Sequence, residues 1–251
     1  MPFLSFDCVT YAARERTVLN GVSFSAERGE ILVLLGRSGS GKTTALRLVN
    51  RLLEPSGGAI YLDGRNTADI DLIALRRRTG YVIQELGLLP HWTIEQNVAL
   101  VPRLLGWPVE KQRARARELL EQVGLEEEGL ALRRPQQLSG GQRQRVAVAR
   151  ALAAEPDMLL FDEPFGALDP VTRHEMQQQL LALTKRYNVA VVFVTHDVSE
   201  ALILASHIAV LANGKLECVA PPEEFVQVNT PVARAFLDTL PTRTLARGDV
   251  S

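Results

Sequence analysis

Ile31-Leu32-Val33-Leu34-Leu35-Gly36-Arg37-Ser38-Gly39-Ser40-Gly41-Lys42-Thr43-Thr44 is the stretch on which the reading of this fold turns. Five apolar residues end at a glycine-rich turn, the pattern of a strand buried on both faces of a parallel sheet. A helical pattern follows over residues 43–53. Between strand and helix, Gly36, Gly41, Lys42 and Thr43 fit the phosphate-loop spacing G-x-x-x-x-G-K-[ST]. Glycines suit such a loop because the chain turns tightly and meets anionic oxygens with no Cβ in the way. The bare N–H groups and the helix start favour negative charge. Gly36, Ser38, Gly39, Ser40, Gly41, Lys42, Thr43 and Thr44 are therefore expected to hold a nucleotide's phosphates. Lys42 should reach the β- and γ-phosphates, and the Thr43 hydroxyl should ligate Mg²⁺, a hard ion that prefers oxygen.

Outward along the chain, short apolar runs alternate with longer helical patterns. Residues 59–62, 81–83, 158–161 and 189–194 read as strands, and 208–219, with Asn213-Gly214 at its centre, reads as a hairpin. From Trp92 to Ala154 the pattern is helical, broken by Gly106-Trp107-Pro108, Gly124, Gly129 and Pro135. The order is thus sheet, helical insert, sheet. A core is expected over 1–84 and 156–220, a helical insert over 85–155, and a tail with short helices over 221–251. At the end of the apolar run 158–161 stand Asp162 and Glu163. Ligands of open α/β sheets sit at such carboxyl edges. Successive strand side chains point to opposite faces, so the two acids can take different roles: Asp162 holding Mg²⁺ through water, Glu163 accepting a proton from an attacking water. An acidic pair after a strand also occurs as plain surface charge. Its pairing with the phosphate loop favours the functional reading.

The 251 residues carry 28 Lys plus Arg against 29 Asp plus Glu, a net charge of −1. No basic excess marks a nucleic-acid partner. The basic stretch from Lys111 to Arg117 is bracketed by Glu110 and Glu118 and reads as a solvated helix face. Two cysteines, Cys8 and Cys218, make no disulfide framework and no metal-ligand spacing. No apolar run approaches the roughly 20 residues of a membrane span. The start, Met-Pro-Phe-Leu-Ser-Phe-Asp, has neither basic n-region nor long apolar h-region. The chain is expected to be cytosolic, with any membrane span supplied by another chain.

Leu138-Ser139-Gly140-Gly141-Gln142, followed by a helical run, completes a motif order that resembles the nucleotide-binding subunit of an ATP-binding cassette (ABC) transporter. Ser139 also fits an ordinary helix N-cap. The resemblance covers about residues 4–219. It implies an α/β fold, a RecA-like P-loop NTPase core with an N-terminal antiparallel β subdomain and a helical insert. By the same resemblance Tyr11 stacks on adenine, although a packed strand tyrosine fits it as well. Gln84 contacts Mg²⁺ and senses the membrane partner, Asp169 lines the subunit interface, and His196 contacts the γ-phosphate. The catalytic set is then Glu163, His196, Gln84 and Lys42, and the Mg²⁺ ligands are Thr43, Gln84 and Asp162. Ser139, Gly140, Gly141 and Gln142 meet the ATP held by the opposite subunit. His91, His174 and His207 match nothing in the family pattern and read as structural.

The implied assembly is a homodimer or pseudo-dimer around two MgATP, on the cytoplasmic face of a membrane. It engages integral-membrane permease subunits and, indirectly, a solute-binding protein. The groove beside Gln84, near Leu86, Leu88 and Leu89, is the candidate dock. Residues 133–138 resemble the importer form. Residues 80–91, 97–102 and 105–107 are similar to importers of glycine betaine, choline and related quaternary ammonium osmoprotectants. The same ATPase serving a phospholipid or methionine, or a soluble cassette ATPase outside transport, are the alternatives. Osmoprotectant relatives often carry a pair of cystathionine-β-synthase-type regulatory domains after the cassette, and residues 221–251 are expected to be too few for them.

Overall fold

The computed structural model describes residues 2–14 and 16–240. In chain order the strands are β1 (Leu4–Ala13), β2 (Arg16–Ala26), β3 (Ile31–Leu35), β4 (Gly57–Leu62), β5 (Arg65–Asn66), β6 (Thr79–Val82), β7 (Met158–Asp162), β8 (Ala190–Thr195), β9 (His207–Ala212) and β10 (Lys215–Ala220). The helices are α1 (Lys42–Val49), α2 (Leu72–Arg77), α3 (Ile94–Val98), α4 (Leu100–Leu104), α5 (Val109–Gln122), α6 (Gly140–Leu152), α7 (Pro170–Tyr187), α8 (Val198–Leu204), α9 (Pro222–Phe225) and α10 (Pro231–Leu237). The chain forms two compact units, Met1–Leu72 with Thr184–Ser251, and Ile73–Leu183.

In the first unit β1 lies between β2 and β4, antiparallel to both, with β5 beyond β4. Alternation places Leu4, Phe6, Leu19 and Val22 inside, and the Phe6 and Phe24 rings stack at 4.2 Å. The pairing of β1 is bulged after Phe6, where Cys8 adopts a φ of 48°. A second sheet runs through the same unit. Strand β3, buried at every residue, pairs in parallel with β8 on one side and β9 on the other, and β10 returns antiparallel to β9. Sides that are all apolar are what a strand with neighbours on both edges and both faces requires.

Helix α1 buries Ala45, Leu46, Leu48 and Val49. It stops at Val49 rather than running to residue 53. Arg51 takes a left-handed φ of 46°, and its guanidinium donates to the Thr67 and Ile70 carbonyls, which turns the chain away from the helix axis. The tail expected to carry short helices does so in α9 and α10, each started by a proline in its first turn. Residues 241–251 of that expected tail lie outside the described residues.

The second unit pairs β6 and β7 in parallel, Val82 opposite Phe161. Strand β6 begins at Thr79, earlier than the reading of 81–83, and leaves Ile83 exposed beyond its end. Helices α3 to α6 bury Val98, Ala116, Leu119, Val146 and Ala149. Helices α3 and α4 part at Ala99, and the breaks after α4 fall at glycines and prolines. Gly106 and Gly124 take φ of 73° and 69°, and Pro108 precedes the first turn of α5.

Candidate nucleotide site

The phosphate loop leaves β3 and enters α1 within the first unit. Its glycines have separate physical reasons. A Cβ on Gly36 would stand 2.4 Å from the Leu211 carbonyl oxygen and 2.6 Å from Ser40 Oγ, so the loop lies directly on the end of β9. A Cβ on Gly41 would meet Leu19 Cδ2 at 2.5 Å, and Gly41 also has a φ of 109°. Gly39 has open space around it, and its φ of 78° is what demands glycine. The loop tightens through Ser40 N–H donating to the Arg37 carbonyl at 3.2 Å.

Inside this loop Lys42 is only 5% exposed. Its Nζ donates to the Gly36 carbonyl at 2.7 Å and the Arg37 carbonyl at 3.1 Å, which curls the ammonium back over the loop. Ser40 Oγ is buried with no hydrogen-bond partner among the described residues. Helix α1 has no side-chain cap, and its first backbone bond runs from Ala45 N–H to Gly41. A buried ammonium, an unanswered hydroxyl and uncapped helix N–H groups around one loop fit a polyanion such as a triphosphate.

Two further first-unit residues converge here. Leu35 of β3 pairs with Thr195 of β8, so Gly36 and His196 leave neighbouring strands at the same level. His196 is exposed. Tyr11, half-buried, pairs across the hairpin with Leu19, the residue that packs over Gly41. Thr43 and Thr44 start α1 beside Lys42, and Ser38 is exposed at the loop's crest.

One support was not read from the sequence. The Asn213-Gly214 turn serves the loop as well as its own hairpin. Gly214 N–H donates to the Ser40 carbonyl at 3.2 Å, and Asn20 N–H donates to the Gly214 carbonyl at 2.8 Å. A Cβ on Gly214 would lie 2.3 Å from the Val18 carbonyl oxygen. Asparagine-glycine signals the turn; nothing local signals that it abuts β2.

The second unit holds the remaining residues. Asp162 is the buried last residue of β7. Glu163 lies just past the strand, half-buried, with a φ of 47°. The two acids therefore part by a left-handed turn and not by strand alternation. Such a φ in a non-glycine residue is strained and concentrates at functional sites. Gln84 is exposed in the turn after β6.

Ser139 is the N-cap of α6. Its Oγ accepts from Gln142 N–H at 3.2 Å while Gln142 Oε1 accepts from Ser139 N–H at 2.9 Å, a complete capping box. The hydroxyl proton of Ser139 is not used by that box. Gly140 faces open space, whereas a Cβ on Gly141 would meet Thr172 Cγ2 at 2.6 Å. Asp169 caps α7, accepting from Val171 N–H at 3.1 Å and Thr172 N–H at 3.0 Å. The Thr172 hydroxyl and these amides hold its carboxyl below the usual value.

The segment after Gln84 is anchored by Arg150, whose guanidinium donates to the Leu86 and Gly87 carbonyls; burial lowers the Arg150 pKa. Leu86, Leu88 and Leu89 are half-buried. Farther along α3 to α5, a cleft of about 290 Å³ is lined by residues that include Trp92, Glu95, Arg103 and Arg113.

For Mg²⁺, Thr43 in the first unit offers a hydroxyl, and Gln84 and Asp162 in the second offer an amide carbonyl and a carboxylate. Each is an oxygen donor of the kind this ion takes beside waters and substrate phosphates. Among the described residues no group of three or more His, Cys, Asp or Glu could hold a metal.

A family model described as ABC transporter matches residues 19–166. The glycine betaine/carnitine/choline transport ATP-binding protein OpuCA of Bacillus subtilis is 49% identical over 212 residues, covering 84% of this chain and 56% of that protein. The choline transport ATP-binding protein OpuBA of the same organism is 48% identical, covering 87% of this chain and 57% of that one. The glycine betaine uptake system ATP-binding protein YehX of Escherichia coli is 45% identical, covering 85% and 69%. The chain thus spans little more than half the length of OpuCA and OpuBA. Among solved structures, the dimeric post-hydrolysis state of the ATP-binding cassette MJ0796 bound to ADP and Pi superposes with a TM-score of 0.77. It is 37% identical, covering 87% of this chain and 98% of that one.

Proposed function

The chain belongs to the ABC transporter family, and from that premise we propose that it is the ATP-hydrolysing subunit of an importer for a small quaternary ammonium osmoprotectant, of the glycine betaine, choline or carnitine type. The observation that carries the ATPase reading is the phosphate loop itself: buried Lys42, unanswered Ser40 Oγ and uncapped α1 about one loop. The substrate class is supported by the names of relatives at 45–49% identity.

In this reading Lys42 and the loop amides hold the β- and γ-phosphates, and Tyr11 stacks on adenine. Thr43, Gln84 and Asp162 supply oxygen donors for Mg²⁺, which when bound offsets phosphate charge. Glu163 takes the proton of the water that attacks the γ-phosphate, and His196 contacts that phosphate from the end of β8. Such a reaction needs positioning and charge stabilisation more than covalent chemistry. Two copies close head to tail, so that Ser139, Gly140, Gly141 and Gln142 of one meet the nucleotide of the other, with Asp169 at the interface. The Ser139 hydroxyl proton and the exposed face of Gly140 are the features left for that contact.

Closure drives two integral-membrane permease subunits, docked beside Gln84, with a solute-binding protein acting through them. No helix among the described residues is long and apolar enough to cross a membrane. In this reading its place is peripheral, on the cytoplasmic face. The test is uptake: proteoliposomes holding the chain with its permease subunits and solute-binding protein should accumulate labelled choline or glycine betaine only with internal MgATP. ATP-driven uptake of methionine or a phospholipid instead, with no quaternary ammonium carried, would overturn the substrate class and keep the ATPase.

A further inference from the structure

We propose that Thr195 and Glu200 are positioning residues for His196, joined by a hydroxyl relay that fixes the backbone on either side of it; this rests on His196 being the γ-phosphate contact. Strand β8 ends at Thr195 and α8 begins at Val198, so His196 and Asp197 are the whole link between them. Asp197 is the N-cap of α8, and its carboxylate accepts from Ser199 N–H at 2.8 Å. Glu200 occupies the third helical position. In an ordinary capping box that side chain accepts the N–H of the N-cap directly.

Here the bond is relayed. Asp197 N–H donates to Thr195 Oγ1 at 3.0 Å, and the Thr195 hydroxyl donates to Glu200 Oε2 at 2.6 Å. Thr195 is 2% exposed and Glu200 4%. The residue before His196 and the residue after it are thus both tied to one buried carboxylate. His196 itself is exposed.

The relay has a physical reason to be there beyond fold. Thr195 follows Val191, Val192, Phe193 and Val194 on a strand buried throughout, where a β-branched apolar residue would serve packing equally. A hydroxyl in that setting is costly unless paired, and so is a buried carboxylate. Each answers the other, and the anion also sits in the first turn of α8, where the helix dipole favours it. Helix α8 and β8 cannot then shift by a fraction of an ångström relative to each other without breaking a short bond. Displacements of about 1 Å near a reacting group cost on the order of a hundredfold in rate.

The test compares Thr195→Val, Thr195→Ser, Glu200→Gln and His196→Ala in the full chain. The readouts are kcat and KM for MgATP, nucleotide Kd and melting temperature. Thr195→Val should lower kcat about tenfold or more with KM and Kd within about twofold. Thr195→Ser should restore kcat to within about threefold, and Glu200→Gln should fall between. In the His196→Ala background Thr195→Val should change nothing further. Wild-type kcat in both Thr195→Val and Glu200→Gln, with His196→Ala impaired, overturns the positioning role and leaves the His196 reading intact. Wild-type turnover in His196→Ala overturns that reading itself. A kcat that falls only in step with melting temperature assigns the relay to stability and also overturns the proposal. Should Thr195→Val fail to fold, Glu200→Gln decides alone: lowered kcat at unchanged KM and melting temperature supports the relay, and full turnover sinks it.

Discussion

Lys42 shows how one residue organises the loop that we propose binds the phosphates. Its ammonium is nearly enclosed and bonded to two loop carbonyls, so the loop is preorganised around a positive charge. Lys42→Ala should weaken ATP binding by about 1.5–3 kcal/mol, roughly ten- to a hundredfold in Kd, the size of a hydrogen bond to a charged group. Titration calorimetry reads this directly, and an unchanged Kd would remove Lys42 from the site. Residues whose role is set by their own backbone and immediate neighbours were legible in the sequence, as the loop from Gly36 to Thr43 was. Glu163 was legible as a carboxylate at a strand end but not in its conformation, because a positive φ in a residue other than glycine or asparagine leaves no local mark. Gly214 was legible as a turn glycine, and its second task, backing Ser40, depends on Val18 lying opposite.

At the scale of elements, α6 and α7 meet at Thr172, and the two glycines before α6 divide their labour there. Gly141 has no room for a Cβ, and rotating Thr172 away would give up its bond to Asp169. Gly141→Ala should therefore destabilise the fold by about 1–3 kcal/mol, the range for overpacking, measured by thermal or denaturant unfolding. Adding Thr172→Ala removes the clashing methyl, so Gly141→Ala should cost clearly less in that background; equal costs in both would refute the contact. Asp169 gives α7 a pH response. Its carboxyl is held below its unfolded value, so its stabilising charge is present above that value and is lost as pH falls through the lower, folded one. Asp169→Asn keeps a capping oxygen without the charge. The melting-temperature gap between wild type and Asp169→Asn should shrink as pH falls below about 4, near the ordinary aspartate value. A gap constant from pH 7 to pH 2 would show that the charge does nothing for the helix. Periodicity and breakers made α3 to α6 legible. They did not by themselves reveal β1, because the bulge at Cys8 interrupts the alternation that Leu4 and Phe6 begin.

For the whole molecule, the decisive question is whether ATP joins two copies, and Glu163→Gln answers it by separating binding from chemistry. Glutamine has nearly the shape of glutamate and can sit at the same left-handed φ, so the turn after β7 should survive. The carboxylate proposed to take the proton of water is gone, and losing a general base lowers a rate by about 10²–10⁴-fold. Ser139 and Gly140, exposed at the start of α6, offer a hydroxyl proton outside the capping box and a glycine with open space around it. If a second copy's γ-phosphate is what they bind, closure persists for as long as that phosphate does. Removing one negative charge beside a triphosphate further favours the closed form. Light scattering of Glu163→Gln with saturating MgATP should therefore move the mass from 27.6 kDa to about twice that, while the wild type returns to the lower mass after turnover. Normal hydrolysis by the variant would mean that Glu163 is not the base. An inactive variant that stays monomeric with ATP bound would keep the base and reject the head-to-tail pair for the isolated subunit, since the bridging phosphate would then be present without bridging anything.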